Sequence, residues 1–174
     1  MISLAKYRDK YFAVSTLSGK VVSSSLGRKR PELAIKDLKI IVGNFSEDNS
    51  IAIKLGEAYY GKKVKFKILN LTTGFQRKVL EKVSEIPYGH VTTYKDIANS
   101  LETKAYRAIG NALSHNPLPI VIPCHRVVRS DHKVGGYRGG TRMKEEILKN
   151  EGIKIKNHRI LNFKKHYVEL CVRQ

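Results

Sequence analysis

A chain of 174 residues, 41% hydrophobic and 28% charged, can bury a core as one ordinary domain or two small ones, which excludes a disordered polyelectrolyte. Thirty-three Lys and Arg against fifteen Asp and Glu give a formal charge of +18. That field draws polyanions, so nucleic acid is the first partner to consider, ahead of a lysine-rich surface kept for solubility. No stretch reaches the ~18–20 apolar residues of a membrane span, and the charged N-terminus lacks a leader's apolar centre. The only cysteines, Cys124 and Cys171, do not make a stapled scaffold, so a soluble protein of a reducing compartment is expected, cytoplasmic, or nuclear in a eukaryote.

The charge is evenly spread. Residues 1–87 hold 17 basic and 8 acidic side chains and residues 88–174 hold 16 and 7, so each half is +9 and docking must be located by motif. In chain order, alternation over residues 10–26 breaks at Leu17-Ser18-Gly19-Lys20 and predicts a β-hairpin. A helix is expected from residue 31 to about 44, with Leu33, Ile35, Leu38, Ile41 and Val42 apolar, and residues 64–71 read as a further strand. These make a small α/β domain, so domains of 1–70 and 71–174 are expected.

Thr73-Gly-Phe-Gln76 has the pattern of a capping box. Phe75, Val79, Leu80, Val83 and Ile86 then share one helical stripe, which Pro87-Tyr88-Gly89 ends. Helices over residues 93–101 and 105–114, joined by Glu102-Thr103-Lys104, have the form of a helix-turn-helix. The second carries Ala105, Ala108, Gly110 and Ala112, small enough for close approach to a groove. Such pairs are equally at home in proteins that bind no DNA.

Pro117, Pro119 and Pro123 exclude a helix before Cys124 and leave an extended loop through Ile120-Val121-Ile122. A glycine-rich loop, Val134-Gly-Gly-Tyr137-Arg-Gly-Gly140, precedes an amphipathic helix from about 141 to 150, stopped at Glu151-Gly152. Beyond residue 153 little pattern remains. Cys124 stands in Pro123-Cys124-His125-Arg126, followed by a base and a permanent cation, and such neighbours lower a thiol's pKa and make it nucleophilic. The plainer alternative is an inert buried thiol.

With Asn116-Pro-Leu-Pro-Ile-Val-Ile before it, the segment Pro123-Cys-His-Arg-Val127 resembles the active-site signature of the O6-alkylguanine-DNA alkyltransferases, the methylated-DNA–protein-cysteine methyltransferases. Phe75-Gln76, Ile86-Pro-Tyr-Gly89, Val91-Thr-Thr-Tyr94, Ala105-Tyr-Arg-Ala-Ile-Gly110, Gly135-Gly-Tyr-Arg-Gly-Gly140 and Glu151-Gly152 follow the same family in order, over roughly residues 73–152. The resemblance implies a ribonuclease-H-like α/β N-terminal domain and a mainly α, winged helix-turn-helix C-terminal domain that enters the minor groove of double-stranded DNA. A monomer is expected, the implied chemistry requires no cofactor, and no Cys/His cluster near the N-terminus offers ligands for the structural zinc of some relatives, so no metal is expected.

The resemblance assigns roles residue by residue. Cys124 matches the alkyl acceptor, His125 the base that deprotonates it through a water, and Glu151 the carboxylate that orients His125. Asn116 matches a brace of the active-site loop. Tyr94, Val127, Tyr137 and Arg138 fall where the base is held, Val127 and Arg138 through backbone groups. Arg107 matches the residue that fills the gap left by an extruded nucleotide, with Thr93, Ala108 and Arg126 also on the DNA side. The implied reaction moves the alkyl group from O6-alkylguanine to Cys124 once, and leaves activity on O4-alkylthymine and adduct size open. The turn between Tyr94 and Arg107 is one residue shorter than in many relatives. Two rivals are considered: a non-catalytic lesion-flagging relative, disfavoured because Cys124 is present and Trp is absent, and a Cys–His hydrolase, for which no peptide cleft is evident.

Overall fold

The computed structural model describes residues 1–170; Cys171 lies outside them. The chain divides into two compact units, residues 1–71 with 117–121, and residues 72–116 with 122 onward. Among the described residues no helix is long and apolar enough to cross a membrane.

The first unit is built on an antiparallel sheet in the order β1 (Ile2–Tyr7), β2 (Lys10–Leu17), β3 (Lys20–Ser24). The expected hairpin is β2–β3. Its two-residue turn holds Ser18 at φ 49° and Gly19 at φ 72°, the left-handed pair whose twist suits flanking strands. Phe12, Ala13 and Val14 on the central strand are all fully buried, so both of its faces are covered. Helices α1 (Pro31–Lys36) and α2 (Ser50–Tyr59) supply that cover. Gly56 makes the close approach of α2 possible, since a Cβ there would come within 2.5 Å of Tyr7 Cβ.

Two expectations are corrected here. The helix from residue 31 stops at Lys36 and not near 44. Asp37 is tied back to Arg28 (2.6 and 2.7 Å) and to the Leu26 amide (3.1 Å), which turns the chain away. Residues 64–71 form no strand; only Ile68 bridges Val21, through Val21 N–H to Lys67 O (2.8 Å) and Leu69 N–H to Val21 O (2.9 Å). Strand β1 and helix α2 carried no clear periodic signal. Next to β3, Ser24 donates from N to Pro117 O (3.0 Å) and from Oγ to Pro119 O (2.8 Å), which ties the proline-rich segment to this unit. Within it Ile120 is held at φ 73°, a costly conformation for a β-branched residue.

The second unit contains α3 (Gly74–Ser84), β4 (Thr92–Thr93), α4 (Tyr94–Ser100), α5 (Tyr106–Ser114), β5 (Val127–Val128) and α6 (Thr141–Asn150). It continues with the hairpin β6 (Ile155–Lys156) and β7 (Arg159–Ile160) and the short α7 (Phe163–His166). Strands β4 and β5 pair in parallel, Thr92 opposite Val127, and so join the start of α4 to the segment after Cys124. Val91, Val128, Val134, Leu148, Ile153 and Ile160 form a core beneath them. The weakly patterned tail closes that core through Ile160, and Phe163 stacks on His132 with centroids 4.0 Å apart.

The capping box is displaced from where the sequence pattern put it. Thr73 makes no side-chain cap, and Gln76 Nε2 instead donates to Ala112 O (3.2 Å) of α5 and to His115 O (3.1 Å) at its C-terminal cap. The reciprocal box lies at Thr93, whose Oγ1 accepts from Asp96 N (3.2 Å) while Asp96 Oδ2 accepts from Thr93 N (3.1 Å). Thr93→Ala is therefore expected to cost roughly 1 kcal/mol, a fall in melting temperature of about 2–4 °C, whereas Thr73→Ala stays within experimental scatter. Equal losses in thermal melts of the two variants would contradict this placement.

Candidate active site

Cys124 opens a 3-10 turn, Cys124–Arg126. Its thiol forms one wall of a cavity of about 340 Å³. Tyr94 at the start of α4, Gly110, Leu113 and Ser114 on α5, and Gly136, Tyr137 and Arg138 of the glycine-rich loop line the rest. The small residues at 110 and 136 leave the space beside the sulfur open. Asn116 Nδ2 donates both to Cys124 Sγ (3.2 Å) and to Ile122 O (3.1 Å), so this residue braces the loop and also touches the sulfur.

His125 and Glu151 are buried together, with His125 Nε2 and Glu151 Oε1 2.9 Å apart. Because Nε2 is committed to the carboxylate, Nδ1, buried and without a hydrogen-bond partner among the described residues, is the nitrogen left to accept a proton. Burial lowers the His125 pKa; the Glu151 carboxylate opposes this without overcoming it, so the ring is neutral at neutral pH and competent as a base. Burial alone would raise Glu151, but the imidazole and the Arg126 guanidinium outweigh it and bring its pKa down to about 2. The carboxylate is charged throughout the working range.

Arg126 corrects one expectation. It does not project outward as a DNA contact: Nε lies 3.0 Å from Glu151 Oε2, Nη2 2.8 Å from Oε1, and Nη1 donates to Ile86 O at 2.8 Å. A guanidinium placed as a fork on a buried carboxylate holds that carboxylate in position. A second correction concerns the thiol. His125 and Arg126 were expected to lower its pKa directly, yet both are committed to Glu151, and burial pushes the Cys124 thiol up. Asn116, Lys144 and Arg138 pull the other way without overcoming burial. The resting group is a thiol, and a base must act before it can attack.

Thr93 is also turned inward. Its hydroxyl lies 2.6 Å from Asp96 Oδ2 within the capping box, and the residue is 6% exposed, so the side chain is unavailable to a partner. Arg107 and Ala108 stand on the exposed face of α5. Tyr94 is half-buried at the cavity and not in the core, and burial raises its phenol pKa. Tyr137 lines the cavity, and the carbonyl of fully buried Val127 already accepts from Lys144.

Two residues of the site went unassigned from the sequence. Lys144 is 1% exposed; its Nζ donates to Val127 O (2.6 Å) and reaches Gly136 O (3.4 Å), joining the segment after Cys124 to the glycine-rich loop. The signal was present: Lys144 falls three and four residues before the buried Ile147 and Leu148, on the apolar face of α6. Asp96 had a similar signal, three residues after Thr93. Among the described residues no group of three or more His, Cys, Asp or Glu is arranged to hold a metal ion.

Comparison with known proteins follows the same residues. A family model described as "6-O-methylguanine DNA methyltransferase, DNA binding domain" matches residues 74–153. A methylated-DNA–protein-cysteine methyltransferase of Archaeoglobus fulgidus is 36% identical over 156 residues, 85% of this chain and 97% of that protein. One from Methanosarcina barkeri is 48% identical over 99 residues, 55% of this chain and 63% of its own length, so the chain spans under two thirds of that relative. Among solved structures, the O6-methylguanine-DNA methyltransferase of Pyrococcus kodakaraensis is similar with a TM-score of 0.69 at 27% identity, over 88% of this chain and all of that one.

Proposed function

Because the chain belongs to the methylated-DNA–protein-cysteine methyltransferase family, we propose that it repairs DNA by moving the alkyl group of an O6-alkylguanine onto Cys124. The observation that carries this reading is the series Asn116, Cys124, His125, Glu151 and Arg126, of which Cys124 forms a wall of the cavity that Tyr94 also lines. A nucleophile, a neutral base and a charged orienting group are the parts such a step needs, with a water between thiol and imidazole.

The residues after 71 serve as a winged helix-turn-helix domain for DNA binding and alkyl transfer. Helix α4 supports α5, and α5 enters the minor groove of duplex DNA with Ala108 against the backbone. The first 70 residues form the ribonuclease-H-like domain. An O6 substituent is out of reach within the stack, so the nucleotide is extruded into the cavity, at a cost of a few kcal/mol, and Arg107 fills the gap. Tyr137 and the backbone at Arg138 hold the base, while Val127, expected to share that role, is fully buried with its carbonyl held by Lys144.

The reaction then conserves atoms without a cofactor. The Cys124 proton passes to His125 Nδ1, and the sulfur displaces guanine from the alkyl carbon. One S–C bond forms, one C–O bond breaks, and the released electron pair goes to the guanine, which Tyr94 stabilises by donating toward N3. The thioether has no leaving group that water can displace, so one monomer repairs one base.

The intact mass of the protein after incubation with a duplex bearing one O6-methylguanine tests this. A gain of one methylene, mapped to Cys124, stopping at one equivalent and absent from Cys124→Ala, is the expected outcome. Unchanged mass with lesion-selective binding retained would replace alkyl transfer with damage recognition.

A further inference from the structure

We propose that the Arg138 side chain is itself a catalytic group: its guanidinium hydrogen-bonds O6 of the departing guanine and holds the negative charge that develops there. This rests on the alkyl-transfer reading above and goes beyond the backbone contact expected at this position. Arg138 lines the cavity shared by Cys124 and Tyr94. Its Nη1 is held at 3.3 Å from Asn116 O, a long bond to the residue whose side chain reaches Cys124 Sγ. Its Nη2 is buried with no hydrogen-bond partner among the described residues. A buried cationic donor without an acceptor is costly, and in a native protein such a group calls for an acceptor that arrives with a ligand.

The geometry of displacement says which acceptor that is. Sulfur, alkyl carbon and O6 must lie nearly in line, so O6 enters on the Cys124 side of the cavity. There the Asn116 carbonyl already anchors the guanidinium. As the C–O6 bond breaks, its electron pair leaves guanine as an anion spread over O6, N1 and N3. Tyr94 serves the N3 edge; Arg138 serves O6. A guanidinium stays protonated at any working pH, so it stabilises the anion by charge and hydrogen bonds and gives up no proton. The proton that finally neutralises guanine comes from the phenol or from solvent, while the thiol proton rests on His125.

Single-turnover rates of the full chain with three electrophiles test the assignment: a duplex containing O6-methylguanine, the free base O6-benzylguanine, and iodoacetamide. Arg138→Met is expected to slow both guanine substrates roughly 100-fold and leave iodoacetamide within about twofold, because loss of one donor to a developing oxyanion has that size and iodide has no O6. Arg138→Lys, which restores the charge without the fork, is expected to recover part of the loss, and it carries the test should Arg138→Met fail to fold. An equal loss with iodoacetamide would place Arg138 on the thiolate, a loss confined to the duplex would place it on a phosphate, and no loss would leave it a wall of the cavity. Each of these overturns the assignment. A wild-type protein that reacts with iodoacetamide but with neither guanine substrate would instead overturn alkyl transfer itself.

Discussion

Glu151→Gln is expected to be the most damaging single substitution outside Cys124. The carboxylate is 7% exposed and receives His125 Nε2, the Arg126 fork and the Gly89 amide (3.3 Å). An amide of the same size keeps the shape but leaves the guanidinium buried without its counter-charge. Breaking a buried pair from one side costs about 3–5 kcal/mol, or roughly 10 °C in melting temperature for a chain of this length. The alkyl-transfer rate is expected to fall about 10²–10⁴-fold, because His125 loses both its tautomer and its orientation. Linkage supplies an independent check. The folded pKa of about 2 lies below the ordinary 4.5, so the contribution of Glu151 is complete above pH 4.5 and is lost as pH falls toward 2. The stability gap between wild type and Glu151→Gln, measured by denaturant titration, should therefore be wide at pH 7 and narrower at pH 3. A gap independent of pH would remove the charge from the explanation.

Lys144→Met should show a pH dependence of the same sign in an alkaline window, although here it is the charged form that burial penalises. Burial pulls the Lys144 pKa from 10.5 to about 8, while the unfolded chain keeps its proton to about 10.5. Between pH 8 and 10.5 the unfolded state binds more protons, so stability rises with pH through that window and the charge-burial penalty applies in full below pH 8. Lys144→Met removes that penalty, worth about 3 kcal/mol by the size of the shift, and also removes the donor to Val127 O and Gly136 O. Relative to wild type, the variant should lose about 3 kcal/mol of stability between pH 8 and 10.5, and a flat difference would mean that the folded lysine holds its proton as tightly as the unfolded one. Alkyl transfer should slow about 10²-fold at pH 7, since the tie between the Cys124 segment and the glycine-rich loop holds two walls of the cavity in register. A single-turnover rate equal to wild type would show that the walls hold without it.

Much of the site was readable because it is local in sequence. Pro123-Cys-His-Arg126 and the glycine-rich loop are continuous strings, and three prolines leave the chain before Cys124 no helical option. Helices α3, α5 and α6 were visible for a related reason: each is a run of about ten residues with one apolar stripe. Strand β1, helix α2 and the 64–71 segment were not. Their form depends on partners outside the local window: Ile2 opposite Ser15, Gly56 against Tyr7, and Ile68 bridging Val21.

The capping box makes the same point on a smaller scale. Thr73-x-x-Gln76 and Thr93-x-x-Asp96 both have oxygen donors and acceptors at the right interval. Only the presence of α5 beside Gln76 decides that the first is spent on packing and the second on capping. The sequence by itself determined which reactive groups are present here, a thiol, an imidazole, a carboxylate and a phenol, because reactivity belongs to residue type. Tertiary structure alone decided how each is tuned: Arg126 turned onto Glu151, His125 held neutral, the thiol kept protonated, and Lys144 buried behind the cavity. Desolvation and hydrogen-bond geometry arise from residues distant in the chain, and no local pattern encodes them.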